Sequence, residues 1–345
     1  MTYSCLTEKT TFAKKLIFTM ERLSSDDYIR GGTQKDFYEP NETEHINCPL
    51  CEANDYEVLG ADRGLKVVRC KSCELIYTNP RVKNAHENYH GAEEIYKSEA
   101  RLVFKGKKPH HRDRNYEYEL RAIKKVKPSG KLLDIGPNMG FFARKAKEFG
   151  YDVEGVEPSP SLSKIARENW GLTIHNSLLE EANLPPKSYD IVTLIDVLEH
   201  VVNPKEVLKS CEKVLKDDGI VVVKVPNGDY NNFKQFLAKA TGKEANIDIW
   251  DCYEHVIHYT STTFKKLIDQ CGFELTKFFI PLPIHSPVWA KHVGHYYQYP
   301  SPFILDWKRI TLRNIFYYTG KMERAIGLKK LRFAPDLMFI ISKKK

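Results

Sequence analysis

The stretch Leu132-Leu-Asp134-Ile-Gly136-Pro-Asn138-Met-Gly140-Phe141 decides how the rest of the chain is read. An apolar run ends at Ile135, a loop with two glycines follows, and amphipathic residues resume at Phe141. This is the pattern of a strand, a tight turn and a helix. Glycines in such a turn let the backbone approach a ligand, and the helix N-terminus favours an anion. In open α/β sheets, ligands bind at the carboxyl ends of strands that finish this way. An ordinary tight turn has the same local pattern, so the flanking sequence must decide.

Downstream, strand and helix patterns alternate. Lys131–Ile135, Asp152–Val156, Leu172–His175, Tyr189–Ile195, Gly219–Val225, Phe273–Ile280 and Leu337–Ser342 read as strands. Phe141–Phe149, Ser161–Trp170, Pro204–Leu215 and residues 262–271 read as helices. Such alternation predicts an α/β fold with a doubly wound, mostly parallel, seven-stranded sheet. A dinucleotide loop would need G-x-G-x-x-G, and Asn138 and Phe141 break that pattern. No Gly-Lys-Ser/Thr follows, so a phosphate P-loop is also excluded. What remains is Asp-x-Gly-x-x-x-Gly, with Glu157 closing the next strand. A carboxylate there can accept hydrogen bonds from both ribose hydroxyls, with no phosphate required. That suits a nucleoside carrying an amino acid, such as S-adenosylmethionine.

Upstream, Cys48-Pro-Leu-Cys51 and Cys70-Lys-Ser-Cys73 form two C-x-x-C pairs eighteen residues apart. This spacing predicts a tetrahedral zinc site on a ribbon with short strands at Tyr56–Leu59 and Lys66–Arg69. Four cysteines close the coordination shell, so Zn2+ there is structural. The first twenty residues show no clean apolar run, so the expectation is no signal peptide, reduced thiols and a cytoplasmic location. Cys211 and Cys271 fall in apolar helical patterns and read as core. Residues 1–45 read as an N-terminal helix (8–23) and linker, 46–80 as the ribbon, 81–130 as a helical connector, and 131–345 as the catalytic domain. A basic aromatic insertion spans about 282–335.

Leu132–Gly140, Val156-Glu-Pro-Ser159 and Ser188–His200 resemble class I S-adenosylmethionine-dependent methyltransferases. The zinc pair followed by Leu75-Ile-Tyr-Thr-Asn-Pro-Arg81 is similar to a subgroup with an N-terminal zinc ribbon, many of whose members serve glycan or antibiotic-sugar pathways. By that resemblance Asp134, Gly136, Asn138 and Gly140 form the cofactor loop, with Asp134 and Gly136 beside the methionine part. Glu157 holds the ribose, Ser177, Leu178 and Leu179 lie near the adenine, and Ile195 and Asp196 lie near the amino acid and sulfonium. Pro137 and Asn138 replace the small residues usual in this loop.

Methyl transfer is an in-line displacement at a sulfonium, so the protein must align the nucleophile and remove its proton. Tyr253-Glu-His255, with His258-Tyr259, is the richest cluster for that task. Its Glu-His pair resembles the acceptor-site pair of sugar C-methyltransferases with a zinc-binding N-terminal domain. Glu254 and His255 are therefore the predicted proton acceptors, while Glu199 and His200 read as cap or supporting residues. A base-amino methyltransferase would carry Asn/Asp-Pro-Pro-Tyr where this chain has Ile195-Asp-Val-Leu198, which argues against methylation of nucleic-acid bases. The expected acceptor is a saccharide, as a nucleotide sugar or lipid-linked glycan, methylated on oxygen. Carbon methylation, an RNA acceptor read by the ribbon, or a non-catalytic cofactor-binding module are the alternatives.

The charge is uneven. The chain carries +8, yet residues 281–345 hold 12 Lys/Arg against 3 Asp/Glu, which leaves the rest at −1. A basic C-terminal fifth favours anionic partners such as phosphates or acidic lipid, and can equally be a solvated face. Its aromatic groups, His295-Tyr-Tyr-Gln-Tyr299, Trp307-Lys-Arg309 and Phe316-Tyr-Tyr318, suit a membrane interface or a lid over a phosphorylated acceptor.

Overall fold

The two cysteine pairs and the strands between them come first. The computed structural model describes residues 37–83, 103–106, 110, 112–240, 249–283 and 303–344. It begins with β1 (Thr43–Glu44), β2 (Tyr56–Asp62), β3 (Leu65–Cys70), β4 (Ile76–Thr78) and β5 (Arg81–Val82). β2, β3 and β4 form an antiparallel meander, and β1 pairs with β5. β1 lies inside the stretch expected to be a linker. Two residues are too few for strand alternation to show in the sequence, and the pairing is fixed instead by Arg81 Nε donating to Glu44 Oε1 at 2.8 Å. The helix expected at 8–23 lies outside the described residues, as does most of the connector before residue 103.

The larger unit runs α1 (Asp113–Lys124), β6 (Lys131–Ile135), α2 (Phe141–Glu148), β7 (Asp152–Val156), α3 (Pro160–Trp170), β8 (Thr173–His175), β9 (Tyr189–Ile195), α4 (Pro204–Val214) and β10 (Leu215–Pro226). It continues through α5 (Gly228–Ala240), β11 (Ile257–His258), α6 (Ser261–Gln270), β12 (Phe273–Phe279), α7 (Phe303–Ala325) and β13 (Asp336–Lys343). Seven of these strands form one sheet in the order β12-β13-β10-β9-β6-β7-β8. The β8 to β10 half is parallel, and β13 inserts antiparallel between β10 and β12. This is the expected doubly wound, mostly parallel sheet. The chain order reverses beside β6, so the crevice between the carboxyl ends of β6 and β9 is the switch point at which such sheets bind ligands.

Two features depart from the expectation. First, α1 is not a connector. Its Tyr116, Leu120 and Ile123 are buried in one cluster with Leu132, Phe141 and Phe142, so it belongs to the helical layer on the sheet. Second, β11 leaves the larger unit and pairs with β4, Ile257 opposite Tyr77 and His258 opposite Ile76. The ribbon sheet thus has four strands, one of them contributed from just after the Glu254-His255 pair. Cys48, Val68, Cys70, Cys73 and Tyr77 share a buried cluster with Leu133, Val192, Val223 and Phe264. Ribbon and sheet therefore stand on a common core. Cys211 and Cys271 are buried in that cluster, as their apolar surroundings predict. Among the described residues, no helix is long and apolar enough to cross a membrane.

Candidate functional site

The turn after β6 is held in an unusual backbone path. Gly136 (φ +65°) donates its N–H to Val156 O at 2.9 Å, and a Cβ there would meet Val197 Cγ2 at 2.9 Å. Asn138 also sits at positive φ, 53°, a region that Asn tolerates better than most side chains. That is how the loop accepts Asn where a small residue is usual. The Asn138 N–H donates to Glu157 Oε2 at 2.9 Å, and the Ser159 N–H donates to Oε1 at 3.0 Å. Glu157 is thereby fixed at the end of β7, 1% exposed. Gly140 opens α2, and a Cβ on it would strike Leu172 and Trp170, so its place is in packing.

A cavity of ≈ 280 Å³ lies at the carboxyl ends of β6, β7 and β9. Of the residues expected from the sequence, Gly136, Glu157, Ser177, Leu178, Asp196 and Glu254 line it. Asp134, Asn138, Gly140, Ile195 and His255 do not. Two buried polar atoms in this region lack a hydrogen-bond partner among the described residues: Asp134 Oδ2 and Ser177 Oγ. Asp134 Oδ1 accepts from Thr193 Oγ1 at 2.7 Å. Burial pushes the Asp134 carboxyl up to about 7, against that hydrogen bond and with the help of Glu157. Unmatched donors and acceptors beside a cavity, a glycine cradle and a carboxylate at a strand end fit a nucleoside with a polar tail. Glu157 would take the ribose hydroxyls, Ser177 and Leu178 the base, and Asp134 and Gly136 the amino-acid end.

Sequence reasoning missed a buried charge cluster beside this cavity. Asp196 (φ 56°) accepts from Arg112 Nη2 at 2.5 Å and from Lys224 Nζ at 3.0 Å. Lys224 also lies 3.8 Å from Glu119, and both are fully buried. Burial alone would raise the Asp196 carboxyl, yet Arg112 and Lys224 hold it well below the usual carboxylate range. Glu119, with weaker pairing, is pushed up to about 7 by burial. The signal was present in Val221-Val-Val-Lys224-Val: a lone lysine inside a buried β run must have a charged partner.

On the opposite wall, His200, expected as a cap or supporting residue, lines the cavity. Its Nδ1–H donates to the Glu254 carbonyl at 2.8 Å, which leaves Nε2 as the acceptor nitrogen. Burial, with His255 adding to it, depresses His200 to about 4, so the imidazole is neutral near pH 7. The His255 ring packs edge-on against it with centroids 4.8 Å apart. Glu199 is 2% exposed, and its Oε2 has no hydrogen-bond partner among the described residues. Glu199, His200 and His255 present ligand atoms within 4.8 Å of one another, so the trio could also hold a divalent cation. Between its unfolded value of about 6.5 and its folded value of about 4, His200 binds more protons in the unfolded chain. Its stabilisation is therefore complete above about pH 6.5 and disappears as pH falls toward about 4. Denaturation midpoints measured from pH 7 to 4 should drop, and His200→Gln should flatten that drop. An identical pH slope in the variant would remove His200 as a cause.

The four ribbon cysteines converge. Cys48 Sγ lies 3.5 Å from Cys73 Sγ, Cys51 Sγ lies 3.5 Å from Cys70 Sγ, and all four are within 4.8 Å of one another. Zn–S bonds of about 2.3 Å in a tetrahedron put sulfurs about 3.8 Å apart, so the thiols fit that ion. Both turns are built alike. The Glu52 and Glu74 N–H groups donate back to the Cys48 and Cys70 carbonyls, and both glutamates are at positive φ. Zinc, if held here, is a structural element. Cys70→Ser or strong chelation is then expected to loosen β4 and β11 together and to lower the denaturation midpoint by several °C. Full-length protein with no bound zinc and an unchanged midpoint would refute that.

A family model described as a methyltransferase domain matches residues 110–277. Among curated relatives, the ubiquinone biosynthesis O-methyltransferase of Photobacterium profundum is 33% identical over 33% of this chain and 50% of its own length. The protein of the same name from Aliivibrio fischeri is 27% identical over 42% of this chain and 64% of its own length. The chain thus spans about half to just under two thirds of these relatives. A solved S-adenosylmethionine-dependent methyltransferase of Thermotoga maritima is 24% identical, over 55% of this chain and 82% of that chain, at TM-score 0.40. One from Archaeoglobus fulgidus is 20% identical, over 75% and 97%, at TM-score 0.41. The family match begins at residue 110 rather than 131, which agrees with the packing of α1 on the sheet.

Proposed function

We propose that residues 110–277, which match a methyltransferase-domain family model, bind S-adenosylmethionine and transfer its methyl group to a hydroxyl oxygen of a saccharide acceptor, such as a nucleotide sugar or lipid-linked glycan. The observation that carries the reading is the cavity itself. Glu157 stands on one side, His200 and Glu254 line the other, and the His255 ring packs against His200. The cofactor supplies an activated methyl group when bound. The protein's part is to hold it by Glu157, Gly136 and Asp134 and to present the acceptor hydroxyl to a base.

In this reading the proton passes to His255 or Glu254. His200 Nε2 then serves to accept and orient the hydroxyl. His255→Ala is expected to leave S-adenosylmethionine affinity within about twofold and to lower kcat by roughly 10²–10⁴, the usual worth of a general base. An unchanged kcat removes His255 from the chemistry. The names of the relatives favour oxygen as the methylated atom. They also favour a second acceptor, an intermediate of ubiquinone biosynthesis, and parallel assays with both acceptor classes separate the two.

Glu199, His200 and His255 support one further reading of the same wall, in which a divalent cation binds the acceptor oxygen. Two imidazoles and one carboxylate suit Mn2+ or Fe2+ better than Mg2+, and these ions compete poorly with zinc for the ribbon thiolates. Restoration of turnover by Mn2+ or Fe2+ after chelation would assign the trio to a cation. Full activity in chelator would leave proton removal to His255 and Glu254 alone. The ribbon cysteines are proposed to hold structural zinc. The aromatic segment around His295–Tyr299 lies outside the described residues, and contact of the basic C-terminal fifth with a membrane or a phosphate is proposed on charge alone.

A further inference from the structure

A second cleft, of ≈ 400 Å³, shares no lining residue with the cofactor cavity. Three separate chain segments meet there: Arg69 comes from β3 of the ribbon, Asn232 and Phe236 from α5, and Lys330 and Arg332 from the segment leading into β13. Two of the cations responsible for the charge asymmetry of the C-terminal fifth therefore face a third cation from the ribbon. Among the described residues neither Lys330 nor Arg332 forms an ion pair, and both are exposed. Phe236, 64% exposed, forms part of the same wall.

The cations are carried on a fixed frame. Asn227 Nδ2 donates to Leu331 O at 2.6 Å and to Ala334 O at 2.7 Å, and its own N–H donates to Pro335 O. Asp229 Oδ2 accepts from the Leu331 N–H at 3.3 Å. Arg69 is oriented by Asn232 Oδ1 at 3.1 Å and by exposed Glu57 at 2.6 Å. Asp229 is the one carboxylate in the lining. It is 7% exposed and engaged with the backbone, so the cleft presents a net positive surface to solvent. A merely solvated basic face would not need three segments to converge on a concavity, nor a hydrogen-bonded staple to place two of its cations.

We propose that this cleft binds a phosphate or diphosphate ester, the anionic part of the acceptor, with Phe236 against its apolar or ring portion. Arg332 can take two phosphate oxygens, Lys330 acts as a point charge, and Arg69, whose Nη1 and Nη2 already donate to Glu57 and Asn232, adds positive charge to the wall. The proposal deepens the function argued above and rests on it for the identity of the acceptor, but its binding test does not depend on turnover.

The test is calorimetric titration of the full chain with pyrophosphate at low salt, using the wild type and a K330A/R332A variant. The substituted side chains are exposed, and S-adenosylmethionine affinity serves as the control for folding. Saturable binding that weakens with salt and falls at least tenfold in the variant is the expected result. Equal affinity in both proteins, or no saturable binding in the wild type and no vesicle binding, overturns the proposal. Sedimentation with vesicles of phosphatidic acid in phosphatidylcholine, against phosphatidylcholine alone, identifies the source. Pelleting that requires Lys330 and Arg332 assigns the phosphate to a lipid, and pyrophosphate binding without pelleting assigns it to a soluble ester. If the cleft binds pyrophosphate while no glycan is methylated, the acceptor reading fails and the anion site stands.

Discussion

Glu157→Ala is expected to weaken S-adenosylmethionine binding by at least about a hundredfold. A carboxylate that accepts hydrogen bonds from two ribose hydroxyls contributes roughly 1.5–3 kcal/mol for each, and their joint loss corresponds to about two to four decades of affinity. The expectation rests on the surroundings of Glu157. It ends β7, lines the cavity, and is anchored by the Asn138 and Ser159 N–H groups. Removing it also leaves those two donors unmatched, so the loop after β6 should loosen. Glu157→Gln separates the effects, because the amide oxygen keeps one backbone contact while the charge is lost. Calorimetry should show a large loss for both variants, with the thermal midpoint of Glu157→Gln nearer to the wild type. Wild-type affinity in either variant would place the nucleoside elsewhere.

Lys224→Met should be the most destabilising single change in the sheet. Lys224 lies near the carboxyl end of β10 within its buried apolar run, 2% exposed, between Asp196 and Glu119. Its removal leaves Glu119 buried without a cation in contact, and Asp196 with Arg112 alone. Breaking a buried ion cluster in this way costs about 3–5 kcal/mol. Because Asp196 lines the cavity, cofactor affinity should fall as well. Urea denaturation at pH 7 checks the first effect. An unchanged midpoint would mean that the cluster contributes nothing to the fold. The companion variant Glu119→Gln should be milder, since burial already pushes that carboxyl up to about 7 and a neutral amide replaces a group close to neutral.

What could be read in advance follows from the range of the interactions involved. Most sheet strands are local runs of β-branched and apolar residues, so Lys131–Ile135, Asp152–Val156 and Tyr189–Ile195 match in sequence and structure, and the other four differ by a few residues at their ends. β10 begins earlier than its apolar run because Lys216-Asp-Asp218 is carried in a register shift between Leu215 and Ile220. The pairing of β11 with β4 could not be read, because nothing in a two-residue strand names a partner in the ribbon. The place of α1 was obscured for a similar reason, since its partners Phe141 and Phe142 lie beyond the Pro-Ser-Gly break. In the site, Glu157 and the cysteine pairs were legible because each announces itself by spacing. Arg112 has no local signature, and its role appears only when Asp196 is seen beside it.

In the proposed reaction, the cavity between Glu157 and Glu254 moves a methyl group from S-adenosylmethionine to a hydroxylated acceptor. The most direct test supplies S-adenosylmethionine with a labelled methyl group to the protein in a host extract, then separates nucleotide sugars, lipid-linked glycans, quinone precursors, RNA and protein. Label in a methyl ether of the glycan or nucleotide-sugar fraction, lost with His255→Ala, is the predicted result. Label in RNA or protein alone, or none in any fraction while calorimetry shows the cofactor bound, would contradict it.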